Sequence, residues 1–213
     1  MGMLLVLMTT GGLAAAVIVL AVSIQTQKIW LRNFVFGGVA VWFVFYLAML
    51  FGFSLSSEEK LLGLNESKEF CGYYFDCHMH TAVTGIRKTK ILRDKTANGE
   101  FYVVDVEVFS DARRAKLGFD ALTLFVIDEN GKRYLRAADA ENPEPPFTQK
   151  VPAGESFEKE VVFDLPVDAK APRLDMHDGH ALIEKVLVGD EDSIFHKRNF
   201  FKLSEQNDLT GVK

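Results

Sequence analysis

The stretch Tyr102-Val103-Val104-Asp105-Val106-Glu107-Val108 decides the fold of the polar part of this chain. Successive side chains of a strand point to opposite faces, so Tyr102, Val104, Val106 and Val108 share one face while Val103, Asp105 and Glu107 share the other. Branched apolar residues at every second position, with carboxylates between them, predict a half-buried strand. Downstream, Ala121 to Ile127 is more uniformly apolar, as a central strand should be. Asp128-Glu129-Asn130-Gly131 supplies a turn whose Asn-Gly step tolerates positive φ, with Arg133 to Ala137 as the return partner. Phe157, Val161, Phe163 and Leu165 alternate with Glu158, Glu160 and Asp164 until Pro166 ends the run. Further strands are expected near Thr84 to Leu92, Ala181 to Val188 and Ile194 to Leu203, the middle one equally readable as a short helix. Asn142-Pro143-Glu144-Pro145-Pro146 is a loop, because proline cannot donate to a central ladder. Roughly seven short strands without long helices between them predict an antiparallel β-sandwich over residues 81–205.

The first 55 residues follow a different pattern. They hold no Asp or Glu and only two basic residues, Lys28 and Arg32, in a polar gap between apolar runs from Gly2 to Ile24 and from Phe34 to Leu55. A hydrocarbon core needs roughly 20 apolar residues per helix, so residues 1–55 predict a transmembrane hairpin. Basic residues favour the cytoplasmic side, and the Lys28/Arg32 loop outweighs the uncharged start of the chain, although Lys60 and Lys68 flank the other end. Both ends outside, with the short loop inside, is therefore the expected topology. Met1 to Thr10 lacks the basic region of a cleaved signal peptide, and Val6 stands where a myristoylation pattern needs Ser or Thr. Gly12, Ala16, Gly37 and Gly38 suggest close helix packing, though small residues are common in membrane helices anyway.

All 29 acidic residues and 22 of the 24 basic ones lie beyond residue 55. A net acidic domain argues against nucleic acid, whose binding rests on Lys and Arg neutralising phosphates. It argues equally against docking on an anionic lipid surface by a polybasic stretch. The expected partners are the membrane itself, through the hairpin, and another envelope protein or a second copy of the chain.

Between hairpin and sandwich, residues 56–80 are expected to form a juxtamembrane helix and a cysteine loop. Ser56-Ser57-Glu58-Glu59 has the capping-box pattern, with Leu61, Leu62 and Leu64 following. Cys71 and Cys77 then bracket Gly72 to Asp76, and an even cysteine count outside the cytoplasm suggests a disulfide. Residues 206–213 are expected to be a disordered tail.

Pro152-Ala153-Gly154-Glu155-Ser156 followed by Phe157 to Pro166 (FEKEVVFDLP) resembles a recurring stretch of bacterial extracytoplasmic immunoglobulin-like domains, similar to the mycobacterial secreted immunoprotective-antigen family. Gly189-Asp190-Glu191-Asp192-Ser193, with His196-Lys197 and Phe200-Phe201-Lys202-Leu203, resembles the closing strand of anchored relatives. The resemblance covers about Thr84 to Leu203 and implies an immunoglobulin-like sandwich in a bacterial envelope with no catalytic residues to carry over. The membrane hairpin and the cysteine loop depart from the secreted members. In that setting Asn65-Glu66-Ser67, a glycosylation acceptor in a eukaryotic secretory pathway, has no such role.

Cys71, Cys77, His78, Met79 and His80 form the sharpest local cluster, because thiolate, imidazole and thioether are ligands copper favours. A sandwich behind two membrane helices also resembles cytochrome oxidase subunit II in outline. That family's copper motif has three residues between its cysteines and wider spacing to histidine and methionine, whereas here the cysteines are five residues apart and precede the strands. On an extended chain His78 and His80 share a face and Met79 points away. A disulfide beside solvent-facing histidines, a copper or zinc site at His78 and His80, and free or intermolecular thiols remain the alternatives, with no cofactor the simplest. His177, Asp178 and His180 read as a surface loop, and Asp190-Glu191-Asp192 as a solvated turn without the ligand spacing of calcium loops. Hydrolase elbows, phosphate-cradling glycine loops and zinc-protease helices are absent from the sequence, so an enzyme site would have to be assembled only in the fold.

Overall fold

The computed structural model describes residues 2–70, 77–178 and 185–203. They fall into two compact units, one of residues 2–59 with 185–198, the other of residues 60–178 with 199–203.

In the first unit, α1 (Gly2–Gln25) and α2 (Ile29–Ser56) are long and apolar enough to cross a membrane. The turn between them is closed locally. Ser23 Oγ donates to the Lys28 carbonyl at 2.9 Å, and the Lys28 amide returns a bond to the Ser23 carbonyl at 3.1 Å. The second helix begins earlier than expected, at Ile29, and takes in Arg32, whose long stem can follow an apolar surface while its head stays wet. Trp42 Nε1 donates to Thr9 Oγ1 at 3.0 Å and links the helices. The glycines do not: a Cβ at Gly12, Gly37 or Gly38 would meet nothing within 4 Å.

The expected juxtamembrane helix does not form, and residues 61–62 and 67–70 are strands. Helix α2 stops at Ser56, after which Leu61–Leu62 form β1 and Ser67–Phe70 form β2. The leucines are compatible with a helix locally. Parallel pairing of Leu61 with Phe200 and Leu62 with Phe201 overrides that preference and buries Leu62 in the core. Glu66 accepts from the Gly63 amide at 2.8 Å, closing the turn between the two strands.

The second unit is a sandwich. Strands β3 (Met79–Leu92), β4 (Lys95–Ser110) and β7 (Ser156–Leu165) join β2 in a four-stranded sheet of order β2-β3-β4-β7. Strands β5 (Leu122–Ile127), β6 (Arg133–Leu135), β8 (Arg173–Asp178) and β9 (Phe200–Lys202) join β1 in a five-stranded sheet of order β1-β9-β8-β5-β6. Among the described residues every strand pairing is antiparallel except β1 with β9. The fold class read from the sequence, two apolar N-terminal helices followed by an antiparallel sandwich, is the one found.

Val104, Val106 and Val108 of β4 meet Val161 and Phe163 of β7 and Leu174, Met176 and Phe201 of the facing sheet in one fully buried core. Val103 was expected on a solvent-facing side but is equally buried. It packs with Phe101, Ala97, Val162 and Ala140 in a second cluster on the outer face of the four-stranded sheet. The segment around Ala140 is pinned there: Glu141 pairs with Arg136 and accepts from the Val162 amide, and Lys159 Nζ donates to the carbonyls of Asn142 and Pro143 at 2.9 and 3.1 Å. Burial pushes the Lys159 ammonium below its ordinary range, Glu141 pulling the other way. The turn after β5 forms as read, with Gly131 at φ +78° and Asp128 accepting from the Asn130 and Lys132 amides and the Tyr134 hydroxyl.

The strand expected at Ala181 to Val188 falls partly on residues outside those described, and from Lys185 to Val188 the chain runs in turns. The strand expected from Ile194 to Leu203 shrinks to three residues, because only Phe200 to Lys202 align with β1 and β8. The tail 206–213 lies outside the described residues. If this short strand closes the core, Phe201→Ala should destabilise the fold by about 3–5 kcal/mol, the usual cost of truncating a fully buried aromatic. Denaturant unfolding checks this, and a loss under about 1 kcal/mol would mean β9 is peripheral.

Candidate functional site

Strand β3 begins at Met79, five residues before the sequence reading placed it, and this early start assembles the site. Its register sets Met79 opposite Ser110 and His80 opposite Phe109. Met79 turns into the core and is buried. His80 turns to the other face, where its ring stacks on Phe109 at 4.9 Å with 13° between planes. Just beyond β4 the Asp111 amide donates to the His78 carbonyl at 3.2 Å, which swings the Asp111 side chain under both histidines.

Both imidazoles converge on one oxygen. His78 Nδ1 lies 2.6 Å and His80 Nε2 3.4 Å from Asp111 Oδ1. The hydrogen bond from His78 holds the Asp111 carboxyl below the usual carboxylate range; burial works against it, and His80 adds to it. His80 is mostly covered, while His78 and Asp111 are about half exposed. The result is a charged and aromatic patch presented to solvent at one end of the four-stranded sheet. Asp111 Oδ1 thus stands within 3.4 Å of a ring nitrogen of each histidine. Among the described residues no group of three or more His, Cys, Asp or Glu could hold a metal ion. Cys77 adjoins the patch, and Cys71 lies outside the described residues.

Asp111 was missed by the sequence reading, since 33 residues separate it from His78 and no short motif spans that distance. Lys68 was also missed as a core residue. Its ammonium, almost fully buried, donates to the Met176 and Asn199 carbonyls at 2.8 and 3.1 Å, so a side chain from one sheet bonds to backbone of the other. The only sequence signal was alternation, which puts Lys68 on the same face as Phe70.

In the second polar knot, His177 and Asp178 lie in a strand and not in a surface loop. Asp175 and His177 lie in β8 because Leu174 and Met176 between them fill the core. His177 Nδ1 stands 3.8 Å from Asp175 Oδ1, and its ring meets Phe125 edge-on at 5.6 Å. His180 lies outside the described residues. The acidic turn closes on itself: the Asp192 amide donates to Asp190 at 2.8 Å and Asp192 pairs with Arg198.

No family model matches the chain, and no curated protein matches it. Several solved structures are similar. The secreted protein MPT63 of Mycobacterium tuberculosis is 11% identical, with a TM-score of 0.46 over 69% of this chain and 99% of its own. The yjhA protein of Bacillus subtilis is 12% identical, with a TM-score of 0.43 over 68% of this chain and 100% of its own. An uncharacterized β-sandwich protein of Clostridium difficile is 12% identical, with a TM-score of 0.38 over 70% of this chain and 98% of its own.

The His78 bond to Asp111 has a titration signature. A depressed carboxyl stabilises the fold at pH above its ordinary value of 3.8, and this contribution is lost as pH falls through the lower folded value. Carbon-13 chemical shifts of the Asp111 carboxyl should therefore titrate below the ordinary range in the native chain and move up towards it in His78→Ala. An unchanged midpoint in the variant would remove His78 as the cause.

Proposed function

We propose that this chain is a two-pass membrane protein of the bacterial envelope whose sandwich lies on the extracytoplasmic side and works by binding another envelope protein or a second copy of itself. The observation that carries the anchoring is the bare apolar surface of the helices. Phe34 and Val41 are each 72% exposed and Leu55 71%, with many similar neighbours. Water would penalise that surface by about 25 cal/mol per Å², and a bilayer covers it at no such cost. The side follows from Lys28 and Arg32, which belong with the cytoplasmic excess of basic residues.

Binding is supported by the free edge of the five-stranded sheet. There β6 pairs with β5 among the described residues, the chain just beyond it bridges to β7 between Arg136 and Phe163, and Leu135 is 77% exposed. An open edge with an apolar side chain accepts an added strand. The patch of His78, His80, Phe109 and Asp111 offers a second recognition surface. We further propose a disulfide between Cys71 and Cys77, in keeping with an oxidising compartment and with Cys77 not being a free thiol. The rival function is a copper-binding or redox protein using the cluster of Cys71, Cys77, His78 and His80. What favours it is the convergence of the two histidines on Asp111; the carboxylate already within 3.4 Å of both counts against it.

A photoreactive residue placed at Leu135 in the full-length chain, in its own membrane, separates these readings. It should give one discrete adduct, of twice the chain mass or with a distinct envelope protein, while the same residue at Asp94 in the β3–β4 turn gives none. Equal background at both positions would end the edge-binding reading. Stoichiometric copper or zinc retained after dialysis and lost in a His78→Ala, His80→Ala variant would favour the rival.

A further inference from the structure

Residues 185–198 lie in sequence between two sandwich strands, yet they belong to the unit of the helices. They pack along the last part of α2. The Tyr46 hydroxyl donates to the Val186 carbonyl at 2.5 Å, Ser54 and Ser193 hydroxyls share a bond of 3.1 Å, and the Lys197 amide donates to Ser57 Oγ at 2.8 Å. The Phe51 and Phe195 rings lie 6.0 Å apart. Tyr46 to Ser57 is 11 residues, so the segment follows the helix for about 16 Å at 1.5 Å per residue.

Depth follows from helix length. The 28 residues of α2 extend about 42 Å against a hydrocarbon core of roughly 30 Å. With Lys28 at one boundary, the core ends near Ala48, and the remaining turns to Ser56 stand in the headgroup layer. Tyr46 sits at that boundary, the position tyrosine favours. A segment bonded from Tyr46 to Ser57 therefore lies at headgroup depth, where irregular backbone is tolerated because water reaches it.

Three of its apolar side chains are turned outward there. Val186 and Ile194 are 40% exposed and Phe195 67%, and Phe53 and Leu55 on the last turns of α2 are exposed as well. Phe195 also holds a left-handed backbone at φ +65°, unusual for a bulky residue and a local cost that leaves the ring exposed. Ser54 and Ser193 are buried where the segment meets the helix, so its attachment is fixed there while Val186, Ile194 and much of Phe195 stay exposed.

We infer that residues 185–198 form a lipid-contacting foot, seating Val186, Ile194 and Phe195 in the outer interface of the bilayer that holds α1 and α2. The occupant is lipid at the depth of the glycerol backbone and upper acyl chain. The charges suit zwitterionic lipid: the acidic turn Asp190-Glu191-Asp192 is offset by Lys185, Lys197 and Arg198, with Arg198 already paired to Asp192. The inference rests on the membrane-spanning reading above and adds a third contact with the same bilayer.

Photolabelling of the full-length native chain in phosphatidylcholine vesicles tests it. One lipid probe carries a diazirine near the top of its acyl chain and a second carries it at the chain end, with adducts mapped by mass spectrometry. The upper probe should label Val186, Ile194 or Phe195 at least about tenfold above Leu135, which faces water on the sandwich, and Phe195→Asp should lower that labelling severalfold. The chain-end probe should label the Phe34 to Val41 stretch. Labelling of that stretch with none at Val186, Ile194 and Phe195 would overturn the foot and leave the spans standing. Absence of labelling at both would overturn the spans and the foot with them.

Discussion

The sandwich depends on burying one strand on both of its faces. Val104, Val106 and Val108 of β4 fill the space between the sheets, while Phe101 and Val103 fill a smaller cluster on the outer side. Because β4 pairs with β3 on one side and β7 on the other along most of its length, its register sets theirs. A slip of one residue would exchange the inward valines for Asp105 and Glu107 and bury two carboxylates among apolar side chains. The position of His80 opposite Phe109, and hence the convergence of His78 and His80 on Asp111, is a consequence of that register.

The helices obey a different solvent. Their apolar side chains face outward, and the polar contacts they make are few and specific: Trp42 with Thr9, Ser23 with the turn, and Tyr46, Ser54 and Ser57 with residues 186, 193 and 197. Polar groups on such apolar helices are costly unless paired, and the bare apolar surfaces fit a membrane anchor.

Legibility of the sequence tracked the locality of the cause. Strands β4, β5 and β7 were readable because alternation or a sustained apolar run is written in adjacent residues, and the turn at Asp128 to Gly131 because its chemistry is local. Leu61 and Leu62 were misread as helix, since their strand is imposed by Phe200 and Phe201, far along the chain. Lys185 to Val188, readable as strand or short helix, runs in turns, since its contacts answer to α2 and not to a sheet. In the candidate site His78 and His80 drew notice by composition alone, whereas Asp111 required knowing that β3 begins at Met79. Lys68 looked like a membrane-flanking charge and is a core residue, because only the pairing of β2 with β3 shows which way it points.

The account stands on two apolar helices crossing a bilayer and exporting the sandwich to the far side of the basic turn. Reporter fusions joined after Leu203 of the full chain read this most directly, using alkaline phosphatase, which is active only when exported, and a fluorescent protein that matures only in the cytoplasm. The account predicts an active phosphatase and a dark fluorescent fusion. A bright fluorescent fusion with an inactive phosphatase would contradict it.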